Sequence, residues 1–170
     1  MKKIIIMLFC LMSFAYNTKA QQLINVLLTY TGKANYKIAA GNALIILNDQ
    51  GKIVQIEADA SGEVVYNKNL QPQQIGNMNL VFNYEGWLSN IGTVTIMYDH
   101  TGRVDRIGEL PIRYNYHQQI ASIGSYTINY NANKTIDQIG QNKVYYNYSG
   151  QVFRIDPSKG LILLLLNLTK

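Results

Sequence analysis

The chain has 170 residues, and its fifteen Lys and Arg against ten Asp and Glu give a formal net charge of +5. Lys2, Lys3 and Lys19 fall in the first twenty residues, so the remaining 150 residues carry only +2 and no cluster of Lys or Arg; Arg103, Arg106, Arg113 and Arg154 are scattered. That distribution excludes an electrostatic case for nucleic acid or an anionic membrane surface as partner.

Residues 1–20 read as a secretory signal: two lysines, an apolar run from Ile4 to about Ala15, then the small residues Thr18 and Ala20 before Gln21. A spanning helix is the rival reading, but about a dozen apolar residues fall short of the roughly 20 a bilayer requires. Cys10 sits behind the bulky Phe9, which speaks against a lipoprotein anchor. Export to the periplasm, cell surface or medium is therefore expected. Cys10 is the sole cysteine, so the exported part has no disulfide and must be stabilised by burial and backbone pairing.

Residues 21–170 are expected to form one domain, since no linker or shift of composition divides them. Residues 23–30 (LINVLLTY) predict a strand, followed by a Thr31-Gly32 turn and a partner strand through Ile38. From residue 40 to 155 a sixteen-residue unit recurs. Five copies start on Ile75-Gly76, Ile91-Gly92, Ile107-Gly108, Ile123-Gly124 and Ile139-Gly140. Two worn copies precede them. Ala40 to Gln55 keeps Ile45, Leu47, Asn48, Gly51 and Ile53; Ile56 to Gln74 keeps Val64, Tyr66 and Asn67 but carries three additional residues. Such short units cannot bury an apolar face alone and must lean on their neighbours.

Counting each copy from its Ile, place six is aliphatic (Leu80, Ile96, Ile112, Ile128, Val144) and place eight aromatic (Phe82, Tyr98, Tyr114, Tyr130, Tyr146). Place nine is Asn or Asp, and place fourteen is aliphatic again. Places four, six and eight alternate with polar ones, the period of a strand. Asn or Asp at nine with Gly at twelve predicts a type I turn closed by a left-handed residue, hence two strands per copy joined by a three-residue loop. Pairing nine with thirteen sets the eighth side chain opposite the fourteenth, on one face. Gln118 and Lys134 replace the glycine at place twelve, predicting a wider loop or strained backbone there. Gly at place two suits the positive φ of a tight turn at the opposite end. The expected fold class is all-β: tandem sixteen-residue β-hairpins in a continuous antiparallel meander, curled to cover its apolar side. The apolar stretch 161–168 is expected to cap the array.

Tyr98-Asp99-His100-Thr101-Gly102-Arg103-Val104 resembles the tyrosine-aspartate repeat of the Rhs/YD family; other copies keep the aromatic but substitute Asn for Asp, and Gly86 and Gly150 keep the later glycine. The resemblance implies an antiparallel sheet of the kind those proteins build into shells and stalks, and no activity.

Chemistry-bearing constellations are sparse. His100 and His117 lie in equivalent turns of adjacent copies without a third ligand, so no metal is expected, and no cofactor. Ser125 and Ser149 lie in turns without a base to nominate. Asp105 and Asp137 share place fifteen two hairpins apart, roughly 19 Å at a strand spacing of about 4.8 Å, too far to flank one bond. An enzyme is not expected. Tyr84, Tyr116 and Tyr148, at place ten of alternate copies, are the candidate ligand-binding residues: a row of hairpin-tip rings suited to a cell-surface glycan or a protein. The expected function is thus an exported scaffold or recognition module of the cell envelope. The alternatives are a carbohydrate-binding module and a small outer-membrane barrel with its apolar columns turned outward, though about six residues per strand fall short of the 9 to 11 that a membrane strand takes.

Overall fold

The computed structural model describes residues 21–58, 63–156 and 161–166. The expected signal at 1–20 and the final two residues of the expected cap lie outside them. Within them the period-two alternation produces strands and no helix. In chain order these are β1 (Gln22–Thr29), β2 (Ala34–Ala40), β3 (Ala43–Leu47), β4 (Ile53–Ala58), β5 (Val64–Tyr66) and β6 (Pro72–Ile75). Next come β7 (Met78–Phe82), β8 (Leu88–Ile91), β9 (Val94–Tyr98), β10 (Val104–Ile107), β11 (Leu110–Tyr114) and β12 (Ile120–Ile123). The last are β13 (Tyr126–Tyr130), β14 (Ile136–Ile139), β15 (Asn142–Tyr146), β16 (Val152–Asp156) and β17 (Ile162–Leu166).

Each copy is a hairpin with the expected register. Phe82 faces Leu88, Tyr98 faces Val104, Tyr114 faces Ile120, Tyr130 faces Ile136 and Tyr146 faces Val152. At the opposite end, Gly76, Gly92, Gly108, Gly124 and Gly140 have φ of 54–57° while the second loop residue does not turn positive. That is the type II′ hairpin turn, whose twist matches the strands it joins. A Cβ on Gly92 would meet nothing within 4 Å, so backbone conformation and not space demands glycine there.

The array spans two sheets and not one. Strands β5 to β16 form a twelve-stranded antiparallel meander; β1 to β4 form a second meander, with β17 parallel to β1 on its outer edge. The worn copy 40–55 keeps its hairpin as β3–β4 but lies in the smaller sheet, and the division falls in the copy that carries three additional residues. The expected cap is thus an edge strand.

The two sheets share one core. Places one, six and fourteen of the five regular copies bury Ile107, Ile112, Ile120, Ile123, Ile136 and Ile139 completely, in one cluster with Val26, Leu28, Tyr36, Ile38, Ile45 and Leu47 of the smaller sheet. Each such aliphatic side chain contributes about 1.5–3 kcal/mol by leaving water. The smaller sheet therefore supplies the cover expected from curling, and no sheet is strongly curled.

Gln118 and Lys134 do not widen their loops. They adopt the glycine conformation, with φ of 65° and 61°, as does Leu70 at the same place of the worn copy (60°). Loop length is thus maintained at the expense of backbone strain. Replacing Lys134 by Gly should raise stability by about 0.5–1 kcal/mol, after discounting glycine's greater unfolded-state freedom; urea unfolding with no gain in midpoint would refute the strain.

Candidate functional site

The tip of every hairpin is built around the ninth side chain. Asn83 Oδ1 accepts the backbone N–H of Glu85 at 3.1 Å and of Trp87 at 2.9 Å, and Asn48, Asn67, Asn115, Asn131 and Asn147 make the same pair of bonds in their own loops. The ninth N–H in turn donates to the thirteenth carbonyl, and the twelfth N–H to the ninth carbonyl, as in Asn147. The β1–β2 loop has the same backbone bonds with Thr29 at the ninth position, its Oγ1 accepting Lys33 N–H at 3.0 Å. Threonine hid that loop from the Asn/Asp signature.

The eighth aromatics join copies. Tyr98, Tyr114, Tyr130 and Tyr146 each donate their hydroxyl to the carbonyl of place fourteen in the preceding copy, Leu88, Val104, Ile120 and Ile136, at 2.5–2.8 Å. These rings are half-buried, and burial pushes Tyr98 and Tyr130 up to about 12 and raises Tyr114 and Tyr146 as well. The N–H at place fourteen has a different use. Val104 donates to Gly51 O, Ile120 to Asp49 O and Val152 to Tyr30 O, so tips of the smaller sheet plug into the repeat edge. Ile136, at the equivalent place of the fourth copy, lines a cavity of about 210 Å³ against Thr31, Lys33 and Asp49.

The copy matching the tyrosine-aspartate motif in full is also the most charged tip. Asp99 accepts Thr101 N–H at 2.8 Å and Arg103 N–H at 3.1 Å, and Arg103 bridges back to its carboxylate at 2.5 Å. The Arg103 guanidinium lies 4.1 Å from the ring centre of Tyr114 in the next copy. Burial pushes the Asp99 carboxyl up, but the hydrogen bonds from Thr101 and Arg103 outweigh it and hold the group well below the usual carboxylate range.

The candidate ligand row stands outside this packing. Tyr84, Tyr116 and Tyr148 are 96%, 86% and 113% exposed, on loops fixed by Asn83, Asn115 and Asn147. Tyr116 stacks on His117, ring centres 3.8 Å apart, while Tyr84 and Tyr148 have no ring contact among the described residues. Copies two and four interrupt the row with His100 and Ala132.

Elsewhere the chemistry is dispersed. Among the described residues no group of three or more His, Cys, Asp or Glu is placed to hold a metal. A groove of about 1020 Å³ opens at the glycine-turn end, lined among others by Gln21, Met78, Asp105, Arg106 and Glu109. Its acids already have partners: Asp105 lies 3.3 Å from Arg113 and Glu109 3.9 Å from Arg106. Trp87 and Tyr145, large rings outside the eighth-place column, are held by contacts, Trp87 against Tyr98 at 5.1 Å and Tyr145 beneath Arg154 at 3.9 Å.

Two pH responses follow. Asp99 ionises more readily in the fold than at its ordinary pKa near 3.9, so its contribution is present above about pH 4 and is lost as pH falls through the depressed folded value. Asp99→Asn keeps the loop acceptor but not the ion pair; it should cost roughly 1 kcal/mol at neutral pH. That cost should vanish in acid, and an equal cost at both ends of an acid titration of stability would refute the pairing. Tyr98 and Tyr130 keep their protons longer in the fold, so stability present below about pH 10 should be lost as pH rises towards about 12. Tyrosinate absorbance should then appear in two phases, the second with unfolding.

No protein-family description, no curated protein and no solved structure matches the chain.

Proposed function

We propose that this chain is an exported, non-catalytic β-repeat module of the cell envelope that acts as scaffold and recognises its partner through the tyrosine row at its hairpin tips. The exposure of Tyr84, Tyr116 and Tyr148 carries the reading. Two tips of separation are four strands, so neighbouring rings stand roughly 19 Å apart at a strand spacing of about 4.8 Å. Side chains of that size usually find burial in a sheet protein, and each of these is held in water by a loop that its own neighbour locks. Aromatic faces present a flat apolar surface suited to the C–H face of a sugar ring or to a protein's apolar patch. The likeness to tyrosine-aspartate repeats, which build extracellular shells and stalks, supports the scaffold half of the reading.

The barrel alternative would need the aliphatic and aromatic columns to face lipid on strands of about 9 to 11 residues. The columns lie instead in the core shared with the smaller sheet, and the strands of the twelve-stranded sheet are three to five residues long. That arrangement favours the recognition module. Simultaneous replacement of Tyr84, Tyr116 and Tyr148 by Ala should leave thermal unfolding unchanged within about 0.5 kcal/mol, as for exposed sites, and should abolish retention on a glycan array. Retention equal to wild type would reject the row as the binding surface.

A further inference from the structure

The two edges of the twelve-stranded sheet are unlike, and each lacks what the other presents. At every joint between copies, the second strand of one hairpin lies beside the first strand of the next, pairing place sixteen with place five and place one with place four. Gln138↔Lys143 with Ile139↔Asn142 is one such joint, and Arg106↔Pro111 with Ile107↔Leu110 another. One edge of the sheet is β5, a first strand with no second strand before it; the other is β16, a second strand with no first strand after it.

Three features mark β5 as half of such a joint. Val64 holds place six and is 37% exposed, whereas Leu80, Ile96, Ile112, Ile128 and Val144 at that place are 0–5% exposed. Tyr66 holds place eight and is 57% exposed; among the described residues its hydroxyl has no hydrogen-bond partner, while four tyrosines at that place donate to the preceding copy. The acceptor it lacks is the fourteenth carbonyl, which at the far edge belongs to Val152, and among the described residues no tyrosine donates to Val152 O. Continuing the register across the two edges also sets Glu63, at place five, opposite Arg154, at place sixteen, with opposite charges.

We propose that β5 of one molecule pairs antiparallel with β16 of a second copy of this chain, so that the internal copy-to-copy joint is repeated between molecules. Such a contact is heterologous, because each molecule offers a different edge, and it leaves a free edge at both ends of every assembly. The three-residue β5 makes each joint small, as natural edges usually are, so assembly length rises with protein concentration. In the joint, Tyr66 donates to Val152 O of the second molecule and Val64 leaves water.

The test uses the full chain with Cys10→Ser, which removes its one thiol. Places five and sixteen lie one step beyond the pair that flanks a two-residue turn, a non-hydrogen-bonded pair with Cα atoms about 4.5 Å apart, within disulfide reach. Glu63→Cys with Arg154→Cys should on oxidation give a ladder of dimers, trimers and longer chains that lengthens with concentration, and each single cysteine variant should stop at the dimer. A double variant that gives no ladder, or also stops at the dimer, overturns the proposal. At place six the N–H points out of the sheet edge, so adding Val64→Pro should remove the ladder without loss of an internal bond. Val64→Lys should do the same should the proline variant lose its β-sheet circular dichroism. A ladder that persists in a folded edge variant likewise overturns the proposal.

Discussion

One oxygen atom per copy carries the architecture. The side-chain oxygen at the ninth place accepts two loop N–H groups, which locks a three-residue loop and with it the pairing of the eighth residue with the fourteenth. A strand slipped by one residue would turn every Ile and Tyr of that copy to the wet face. The loop is therefore worth more than its own hydrogen bonds, since it decides on which side several buried side chains fall. Its tolerance of Gln118 and Lys134 at positive φ shows the order of strength: the Asn acceptor and the register prevail over the local preference of the twelfth residue.

A one-sided sheet of this breadth has to hide its apolar face. The chain does so with its own N-terminal strands, which carry a second set of buried side chains and dock through backbone N–H groups at the fourteenth places of three copies. At two of these places, Val104 and Ile120, the carbonyl also accepts the tyrosine hydroxyl of the next copy. One backbone position thus serves two neighbours in different directions, which ties the spacing of the copies to the seating of the smaller sheet. Asp99 and Arg103 add a charged version of this joint, with the guanidinium bridging from one tip to the ring of the next.

The functional reading follows from what this economy leaves over. Nearly every aromatic in the array is drawn into the core or paired along the sheet, and the rings at the tenth place are not. They rest on loops whose backbone N–H groups the ninth side chain holds, so a ligand would meet rings on an ordered backbone, with less ordering entropy to lose. The unmatched edges are the other remainder, and both belong to the repeat itself and not to a grafted site.

Much was legible from the residues alone. Period-two alternation, the Asn/Asp column and the recurring Ile-Gly pairs determined the strands, the loop type, the register and the face each column would occupy, because these depend on contacts within a few residues. The exposed tip row was legible for the same reason. The turn at Thr31-Gly32 was legible too, but not its kinship with the repeat loops, because Thr29 does the work of Asn with a hydroxyl. Which strands lie on which sheet, that β17 pairs parallel with β1, and that Tyr98 reaches back ten residues to Leu88 were decided only by the tertiary structure. Such choices rest on packing between segments far apart in the chain, where many pairings satisfy the same local pattern and only the filled core selects among them.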